Sequence, residues 1–509
     1  MRTEPHKGFF RSEYCIVAIH KFMSSEKFYI TTSIAYTNAN PHLGFALELI
    51  QADVVSRCCR LKGKEVLFLT GTDEHGMKIA QKATNEGKEP KEFVDKISEK
   101  FKQLKIALNL SNDDFIRTTD QIRHWPSVYK IWEILKNNGD IYKKKYKGLY
   151  CVGCEAFLVE RDLVDGKCCY HQKAPEVIEE ENYFFKLSKY QDKLKDILEK
   201  DKIKVFPVFK KNEMLSFIKE GLEDVSCSRA SEKVSWGIPV PNDESQTIYV
   251  WFEAIINYLS ALGFAENSEK FKKYWPVDLH CIGKDITRFH LLLWPAMLLS
   301  LGLELPKSVL IHGFINVDGE KMSKSLGNII CPFDLVDKYG IDPTRYFLLR
   351  EISPTEDGDF TYEKFEGRYN GDLASGLGNL LARVVTLSNK IFNFQFSIFN
   401  EFSNPNFQTA LSGAKLKYVE ALENFKFNEA LGAVWEVISF CDKYIDQEKP
   451  WENGNEKLKT KNEKVIRDLL FVLQEIADLL KPFMPQTADN ILEQVKTGKS
   501  EPLFPRLNS

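Results

Sequence analysis

Two lysines, Lys321 and Lys324, lie three residues apart in the segment INVDGEKMSKSLGN at 315–328. Glycine, serine and asparagine punctuate this segment, so no run of apolar side chains fixes it in a core. Paired ammonium groups on such a loop suit a phosphate chain, which carries several negative charges. Loop lysines are more often simply solvated, so the pair alone is a weak indication.

The tetrapeptide PHLG at 41–44 is a second candidate phosphate site. His42 and Gly44 stand where a predicted strand gives way to a predicted helix, and the N–H groups and dipole of a helix start attract anions. A histidine there is more often a cap or a surface residue. The combination is more informative, because the two segments follow the first and last strands of one predicted sheet. Both therefore face its carboxyl edge, where nucleotides bind.

The predicted sheet is built from two sets of elements far apart in the chain. KFYITTSIAYTN (27–38) is β-rich, 41–63 has apolar residues at helical spacing, and Val66–Leu69 form an apolar run typical of a buried parallel strand. The second set comprises DLHCIG (278–283), an apolar helix from Asp285, and SVLIHGF (308–314). We therefore predict an α/β fold with a doubly wound, Rossmann-type parallel sheet split by an insertion, followed by an all-α helical bundle.

Composition excludes several classes of protein. The 509 residues carry a net charge of -3, so nucleic acid can be attracted only by local patches such as KKKYK (143–147) and KLKTKNEK (457–464), which by default are solvated faces.

The eleven cysteines are an odd number, and we see no secretory signal before them, whether the chain starts at Met1 or Met23. We expect a cytoplasmic protein that does not span a membrane, because the apolar segment 289–303 is shorter than the ~20 residues required.

A cysteine-rich segment inside the insertion has the spacing of a zinc knuckle. Two residues separate Cys151 from Cys154, and after thirteen further residues Cys168 and His171 form a second pair with the same separation. Three thiolates and one imidazole suit tetrahedral Zn²⁺ with a structural role. Cys169 could replace one ligand, and a vestigial knuckle without metal is the alternative.

These motifs together resemble those of one enzyme family. PHLG with KMSKS at 321–325 resembles the signature pair of the class I aminoacyl-tRNA synthetases. The surrounding segments resemble bacterial-type methionyl-tRNA synthetases, namely TGTDEHG (70–76), EEENYFF (179–185), VWFEAIINYL (250–259) and GKDITRFH (283–290). Enzymes for isoleucine, leucine and valine need a large editing insertion, and the cysteine enzyme has a cysteine beside the first signature. Neither feature is present here.

The resemblance implies that L-methionine is activated with ATP, taken as its Mg²⁺ complex, and transferred to initiator and elongator tRNA(Met). The implied ATP-binding residues are His42, Gly44, Lys321, Ser323 and Lys324. His42, the two lysines and Arg229 are the implied catalytic residues. The attacking carboxylate is already ionised at neutral pH, so positioning and charge stabilisation suffice for this reaction.

The resemblance also implies a methionine pocket. Selective binding of methionine needs several aromatic and apolar walls, because one sulfur–aromatic contact contributes only about 0.3–1.5 kcal/mol. Asp73 is expected to bind the ammonium group and Asp285 to support the pocket. The other implied pocket residues are Ile34, Tyr36, Trp251, Ala254, Tyr258, Phe289, His290 and Trp294.

One position departs from the family pattern. The first signature usually ends in a second histidine, and this chain has Phe45 there. Phenylalanine cannot donate a hydrogen bond to phosphate, which leaves open a paralogue that binds RNA without chemistry. A separate alternative is another nucleotidyl transferase that uses the same phosphate site on a small acid.

The helical C-terminal third carries the implied anticodon-reading residues. Asn379 and Arg383 are four residues apart, so they share one helix face, and Trp451 offers a surface on which a base can stack. On spacing alone these are an ordinary surface pair and a helix-end tryptophan. We expect a monomer, because no appended domain follows the helices.

The predicted domain boundaries follow from these assignments. They are an N-terminal extension (1–26), a first Rossmann half (27–140), a connective insertion with the knuckle (141–230), a second Rossmann half with the lysine loop (231–325), a linking stem-contact region (326–370) and an α-helical anticodon-binding domain (371–509).

Overall fold

The computed structural model of the protein describes residues 26–151, 156–158, 163–169, 172–322, 327–392, 402–452 and 454–507. Cys154, His171, Ser323 and Lys324 lie outside these residues, as does Met23. The described chain forms two compact units. The first comprises Lys27–Ala52 and Val66–His312, and the second comprises Asp53–Glu65 and the chain from Gly313 onward. In the described part, no helix combines the length and apolarity needed to cross a membrane.

Strands and helices alternate through the first part of the chain. In chain order they are β1 (Lys27–Tyr36), α1 (Leu43–Leu61), β2 (Glu65–Asp73), α2 (Met77–Asn85), α3 (Pro90–Ala107), β3 (Asp114–Arg117), α4 (Trp125–Asn137), β4 (Ile141–Cys151), β5 (Ala156–Leu158), β6 (Leu163–Val164), β7 (Lys167–Cys168), β8 (Glu176–Phe185), α5 (Gln191–Glu199), β9 (Lys204–Phe206), α6 (Val208–Lys219), β10 (Val225–Ser226), β11 (Ser228–Ala230), β12 (Pro239–Val240), β13 (Asp243–Ile248), α7 (Val250–Ala254), α8 (Asn257–Ser260), α9 (Glu269–Tyr274), β14 (Leu279–Gly283), α10 (Trp294–Leu301) and β15 (Ser308–His312).

The core of the first unit is a six-stranded sheet with the order β3-β2-β1-β14-β15-β9. The pairs β1–β14, β14–β15, β15–β9 and β2–β3 are parallel. Leu67–Asp73 of β2 are all buried, as expected for a parallel strand covered on both faces. The predicted parallel, doubly wound sheet formed by two distant sets of elements is therefore confirmed. The three-residue strand β9 comes from inside the segment predicted as an insertion.

The lysine run KKKYK lies on β4, which pairs antiparallel with β8. The register sets Lys145 opposite Glu181 and Lys147 opposite Glu179. Lys143 lies 2.9 Å from the carboxylate of Asp243. Carboxylates therefore offset the charge of this run, in agreement with its interpretation as a solvated face.

The prediction of one regular apolar helix from Asp285 is wrong. A 3₁₀ turn covers Lys284–Ile286, a π-helical turn covers Phe289–Leu293, and regular α-helix begins only at Trp294. Pro295 accounts for this start, because a residue without an N–H donor fits the first turn of a helix and not its interior. The π-turn places Phe289 and His290 outside the regular helical spacing that the sequence pattern assumes.

The second unit is mostly helical, as predicted. Its elements after β15 are β16 (Ile315–Val317), β17 (Glu320–Lys321), α11 (Pro332–Tyr339), α12 (Ile341–Arg350), β18 (Gly358–Phe360), α13 (Tyr362–Arg368), a π-helical turn (Tyr369–Gly378), α14 (Asn379–Phe392), α15 (Pro405–Glu423), α16 (Phe427–Glu448), α17 (Glu456–Leu480) and α18 (Pro485–Thr497). Strands β17, β16 and β18 form a small sheet.

A fully buried arginine joins distant parts of the second unit. Arg345 of α12 donates from Nη2 to Asp53 at 2.7 Å and from Nε to the carbonyl oxygen of Phe483 at 2.7 Å. Asp53 is also buried and accepts a bond from Arg57 at 2.7 Å. Removing one partner from such a buried pair leaves an uncompensated charge, which typically costs about 3–5 kcal/mol. The pair therefore fixes the C-terminal half of α1 on the helices after Gly313.

Candidate active site

The candidate active site begins where the strand order of the six-stranded sheet reverses. From β1 the chain continues to β2 and β3 on one side of the sheet, whereas β14 and β15 occupy the other side. β1 and β14 are adjacent and parallel, with Ile30 opposite Leu279. Ligands of open α/β sheets bind outside the carboxyl ends of strands at such a switch point. His42 follows β1 and Asp285 follows β14, so both lie at this edge.

His42 caps the first turn of α1. Its Nδ1 accepts a hydrogen bond from the Gly44 N–H at 3.1 Å, and its carbonyl oxygen accepts from the Phe45 N–H at 3.1 Å. Because Nδ1 is an acceptor, the neutral ring carries its proton on Nε2. The side chain keeps an exposed surface, while the protein crowded around it and, secondarily, the nearby His312 lower the pKa of the imidazole. His42 therefore offers a neutral Nε2–H donor near pH 7.

A buried hydrogen-bond network connects the elements around this turn, and sequence reasoning missed it. Oε2 of Glu48, on α1, lies 2.9 Å from Nε2 of His312 at the end of β15. Its Oε1 accepts from the N–H of Ser33 at 2.7 Å and from the hydroxyl of Ser33 at 2.6 Å. The network joins α1, β1 and β15. Its members are up to 264 residues apart, so no local pattern in the sequence could have indicated it.

Phe45 has a packing role in this chain. Its ring meets that of Phe101 on α3 edge to face, with ring centroids 5.3 Å apart. Such contacts contribute about 0.5–1.5 kcal/mol beyond the burial of area. A histidine at this position would lose part of that contact. The neighbouring Phe101 therefore suits phenylalanine at position 45.

Trp251 and Phe289 form one wall of the predicted methionine pocket. Their rings stack at a centroid distance of 4.8 Å and an interplanar angle of 12°, and both are half-buried. Trp251 stands on α7 beside the buried Ala254. Ile34 and Tyr36, near the end of β1, pack against the same hydrophobic core cluster as Trp251 and Phe289.

Tyr258 and His290 form a buried polar pair within the same cluster. His290 Nδ1 lies 3.1 Å from the carbonyl oxygen of Ile286, so this nitrogen donates. His290 Nε2 therefore accepts from the Tyr258 hydroxyl at 2.8 Å. Burial lowers the pKa of His290 to about 4 and raises that of Tyr258, so both are neutral near pH 7.

His280 is a second buried histidine beside this pair that the sequence did not single out. Its Nδ1 lies 2.7 Å from the hydroxyl of Thr31, and its ring centroid is 4.4 Å from that of Tyr258. Burial holds the pKa of His280 well below its usual value. Trp294 is fully buried and meets Tyr258 edge to face at 6.0 Å. Of the aromatic residues predicted at 258, 290 and 294, Tyr258 thus contacts both of the others.

Asp73 lies at the end of β2 in a firmly held turn. Its side chain is buried, and its carbonyl oxygen accepts from the N–H of Thr37 at 2.9 Å. The next residue, Glu74, receives bonds from Arg117 at 2.7 and 2.8 Å. Trp236 donates from Nε1 to the carbonyl oxygen of Glu74 at 2.5 Å. Neighbouring segments therefore fix the position of the Asp73 backbone.

Arg229 is buried on β11. Its guanidinium lies 4.4 Å from the ring centre of Tyr249 and donates to the hydroxyl of Ser226 at 2.8 Å. Arg229 and Tyr249 line a small cavity together with His75 and with Trp236, whose indole bonds to Glu74 in the Asp73 turn. Asp285 is exposed after β14, and its Oδ1 folds back so closely on Gly283 that a Cβ there would approach within 2.8 Å.

Comparison with known proteins decides the family. The model of the class I tRNA synthetases (M) matches residues 28–174 and 159–385, and the model of the anticodon-binding domain of tRNA ligases matches residues 407–505. The methionine–tRNA ligase of Thermotoga maritima is 44% identical over 481 residues, covering 92% of this chain and 75% of that protein. The methionine–tRNA ligase of Brucella suis is 42% identical over 485 residues, covering 92% of each.

The chain belongs to the class I methionyl-tRNA synthetases. A solved methionyl-tRNA synthetase of Mycobacterium tuberculosis, in complex with methionyl-adenylate, has a TM-score of 0.89 to this chain at 37% identity. The alignment covers 94% of this chain and all of that one. The family predicted from the signature motifs is therefore confirmed.

The predicted zinc knuckle lies only in part within the described residues. Cys151 and Cys168 are both buried and pack with Leu158 in one small cluster. Two of the four predicted ligands are thus brought together, whereas Cys154 and His171 lie outside the described residues. Among the described side chains, no group of three or more histidine, cysteine or acidic residues could hold a metal.

The lysine loop of this synthetase is likewise described in part. Lys321 ends the short strand β17 and is exposed, with its ammonium 5.3 Å from the ring centre of Phe314. Its carbonyl oxygen accepts from Asn328 at 3.3 Å. Ser323 and Lys324, which complete the predicted phosphate-binding set, lie outside the described residues.

The predicted anticodon-reading residues of this synthetase lie on one side of the helical unit. The guanidinium of Arg383 is 6.0 Å from the ring centre of Trp451 and donates to Asp446 at 2.7 Å. Trp451 is 47% exposed, and Asn379 is exposed one turn before Arg383. The basic run 457–464 falls in the first turns of α17, where Lys461 pairs with Glu448 at 2.8 Å.

Proposed function

We propose that this chain activates L-methionine with ATP to methionyl-adenylate and transfers the methionyl group to tRNA(Met), both initiator and elongator. The observation that carries the proposal is the arrangement at the switch point. The capped helix start at His42 and the aromatic pocket after β14 follow two adjacent parallel strands. A nucleotide and an amino acid bound there lie side by side.

In the activation step, a carboxylate oxygen of methionine attacks the α-phosphorus of ATP. A new oxygen–phosphorus bond forms as the bond to the β-phosphate breaks, and pyrophosphate leaves. Nε2–H of His42 and the N–H groups at the start of α1, including Gly44, are proposed to donate to phosphate oxygens. Lys321, Lys324 and the hydroxyl of Ser323 are proposed to stabilise the leaving pyrophosphate. ATP enters as its Mg²⁺ complex.

Methionine recognition is proposed to combine one charge with several apolar walls. Asp73 is suited to the ammonium group, because its carboxylate is buried where an opposite charge is weakly screened. The stacked rings of Trp251 and Phe289 suit a thioether side chain. Arg229 is proposed to approach the reacting carboxylate, and Asp285 to support the pocket. The remaining proposed wall residues are Ile34, Tyr36, Ala254, Tyr258, His290 and Trp294.

We propose that Cys151, Cys154, Cys168 and His171 hold a structural Zn²⁺ ion. The described pair supports this, since buried thiols in one cluster fit two soft ligands of such a site. When bound, the ion would crosslink the segment between β4 and β8.

For the tRNA, we propose that Asn379, Arg383 and Trp451 read unpaired anticodon bases. The exposed indole can stack on a base, and the neighbouring guanidinium adds a cation above the ring. Asp446 holds Arg383 in place in the absence of RNA.

We also propose that the protein is a cytoplasmic monomer and that its domains have the boundaries predicted from the sequence. The family-model match at 407–505 supports an anticodon-binding role for the helical part of 371–509.

Charging of tRNA tests the complete reaction. The chain is incubated with ATP, labelled methionine and separate transcripts of initiator and elongator tRNA(Met). We expect labelled methionine on both tRNAs and none without ATP. Charging of neither tRNA, by protein shown to be folded, would contradict the proposal.

A further inference from the structure

A carboxylate on the pocket helix α7 is completely buried between two histidines. Glu253 has no exposed surface. Its Oε1 lies 2.7 Å from Nδ1 of His75, and its Oε2 lies 2.8 Å from Nε2 of His124. Both histidines are buried as well. A carboxylate withdrawn from water in this way is stable only because both oxygens accept hydrogen bonds.

These contacts connect the two halves of the proposed methionine pocket. Glu253 stands between Trp251 and Ala254, which form the pocket wall on α7. His75 is two residues after Asp73, the proposed partner of the substrate ammonium. The Glu253–His75 bond therefore joins the wall that contacts the thioether to the turn that contacts the ammonium.

The other carboxylate oxygen ties this junction to the scaffold. His124 precedes α4, and its Nδ1 lies 2.8 Å from the hydroxyl of Ser260 on α8. The ring of His75 is also packed by Trp236, with centroids 5.6 Å apart. Aromatic packing alone leaves a ring free to slide in its own plane, whereas a 2.7 Å bond to a buried oxygen fixes it.

We propose that Glu253 is a positioning residue that sets the spacing between Asp73 and Trp251 and thereby the affinity for methionine. The inference rests on the proposed function, because Glu253 can affect methionine affinity only if methionine binds in the proposed pocket. Glu253 touches neither substrate in this account. It acts through His75 on one side and through its own helix on the other.

The proton arrangement makes the role measurable. Burial raises the pKa of Glu253, and the hydrogen bond from His124 opposes that rise. In its ionised form the carboxylate accepts from both rings, so that His75 carries its proton on Nδ1 and His124 on Nε2. In Glu253→Gln the side chain keeps its shape, but its NH₂ group faces one of these nitrogens. That ring must then change tautomer or lose the bond, which leaves a buried polar group unsatisfied.

The test compares Glu253→Gln, Glu253→Asp and the control Glu133→Gln, which makes the same chemical change on an exposed face of α4. Methionine-dependent ATP–pyrophosphate exchange gives KM for methionine and for ATP separately. We expect Glu253→Gln to raise KM for methionine about tenfold, with KM for ATP changed by less than about twofold. Glu253→Asp keeps both acceptors and retracts them by one methylene, so we expect a smaller rise of about threefold.

Two further readouts separate positioning from a general loss of stability. Methionine titration by calorimetry should reproduce the affinity ratio without any reaction, and ¹⁵N spectra of the imidazoles should show a changed tautomer in Glu253→Gln only. An unchanged KM for methionine, or equal rises in both KM values, would overturn the inference. If Glu253→Gln does not fold, Glu253→Asp is judged by the same criteria. A wild-type chain that shows no exchange with methionine contradicts the proposed function itself, whereas an active wild type with unaffected variants contradicts only the role of Glu253.

Discussion

The Nε2 atom of His290 lies 2.8 Å from the hydroxyl oxygen of Tyr258, and both side chains are buried among aromatic rings. The other ring nitrogen of His290 donates to the Ile286 carbonyl, so the direction of the bond is fixed: Tyr258 donates. A neutral polar pair is therefore held rigidly beside the buried rings of His280 and Trp294.

Tyr258→Phe tests this pair. The substitution removes the donor and leaves His290 Nε2 buried without its partner, which typically costs about 1–3 kcal/mol. We expect a lower melting temperature and a KM for methionine raised by several-fold in pyrophosphate exchange, with KM for ATP unchanged. Tyr129→Phe, on the half-buried Tyr129 of α4, is the control. Equal effects of the two substitutions would count against a special role for Tyr258.

Stability should fall in mild acid because of buried histidines. Burial lowers the pKa of both His75 and His290 to about 4, from 6.5 in an unfolded chain. Between these values the unfolded state binds more protons, so protonation favours unfolding as the pH falls. We expect a constant melting temperature above about pH 6.5 and a progressive loss toward pH 4. His290→Gln should flatten this dependence in calorimetric scans, and an equally steep curve for the variant would contradict the assignment.

The sequence predicted the elements whose signals are local. The apolar run Val66–Leu69 indicated β2, and the turn chemistry of PHLG located the start of α1 correctly. The strand β9 was not predicted, because three residues at a sheet edge leave no periodic pattern. The 3₁₀ and π turns before Trp294 were missed, because a segment that is apolar throughout has no periodicity that distinguishes one helical geometry from another.

The contacts that organise the site were beyond sequence reasoning for a different reason. Glu253 meets His75 across 178 residues and Glu48 meets His312 across 264. Buried polar pairs of this kind depend on tertiary placement, which neither composition nor spacing encodes. The family resemblance implied that Trp251 and Phe289 line one pocket, but their stacking was not predicted. Asp442 and Asp446, which hold Arg383, were not anticipated at all.

Metal analysis tests the zinc knuckle. We expect one equivalent of zinc in the purified protein and its loss in Cys168→Ser, because a structural site needs all four ligands. Cys169→Ser, which changes the exposed neighbouring cysteine, should retain the metal. Folded wild-type protein without zinc would show the knuckle to be vestigial, and loss of zinc only in Cys169→Ser would exchange the ligand assignment.

Trp451→Ala tests anticodon reading separately from activation. Loss of a stacking surface typically costs about 1–3 kcal/mol per base, so we expect aminoacylation to fall about tenfold through KM for tRNA. Methionine activation should be nearly unchanged, because it needs no tRNA. Trp451→Phe, which keeps a smaller ring, should lose less. Parallel losses in aminoacylation and pyrophosphate exchange would instead indicate a structural defect.

The most direct test of the central claim is ATP–pyrophosphate exchange measured with each of the twenty amino acids, for the wild type and for Lys324→Ala. We expect methionine alone to support exchange. We also expect Lys324→Ala to reduce the rate by at least about tenfold, because removing one donor to a developing charge typically costs ~2.7–4 kcal/mol. Lys417→Ala, an exposed lysine on α15, should leave the rate unchanged. Exchange that depends on a different amino acid or on none, or an unchanged rate in Lys324→Ala, would contradict the account.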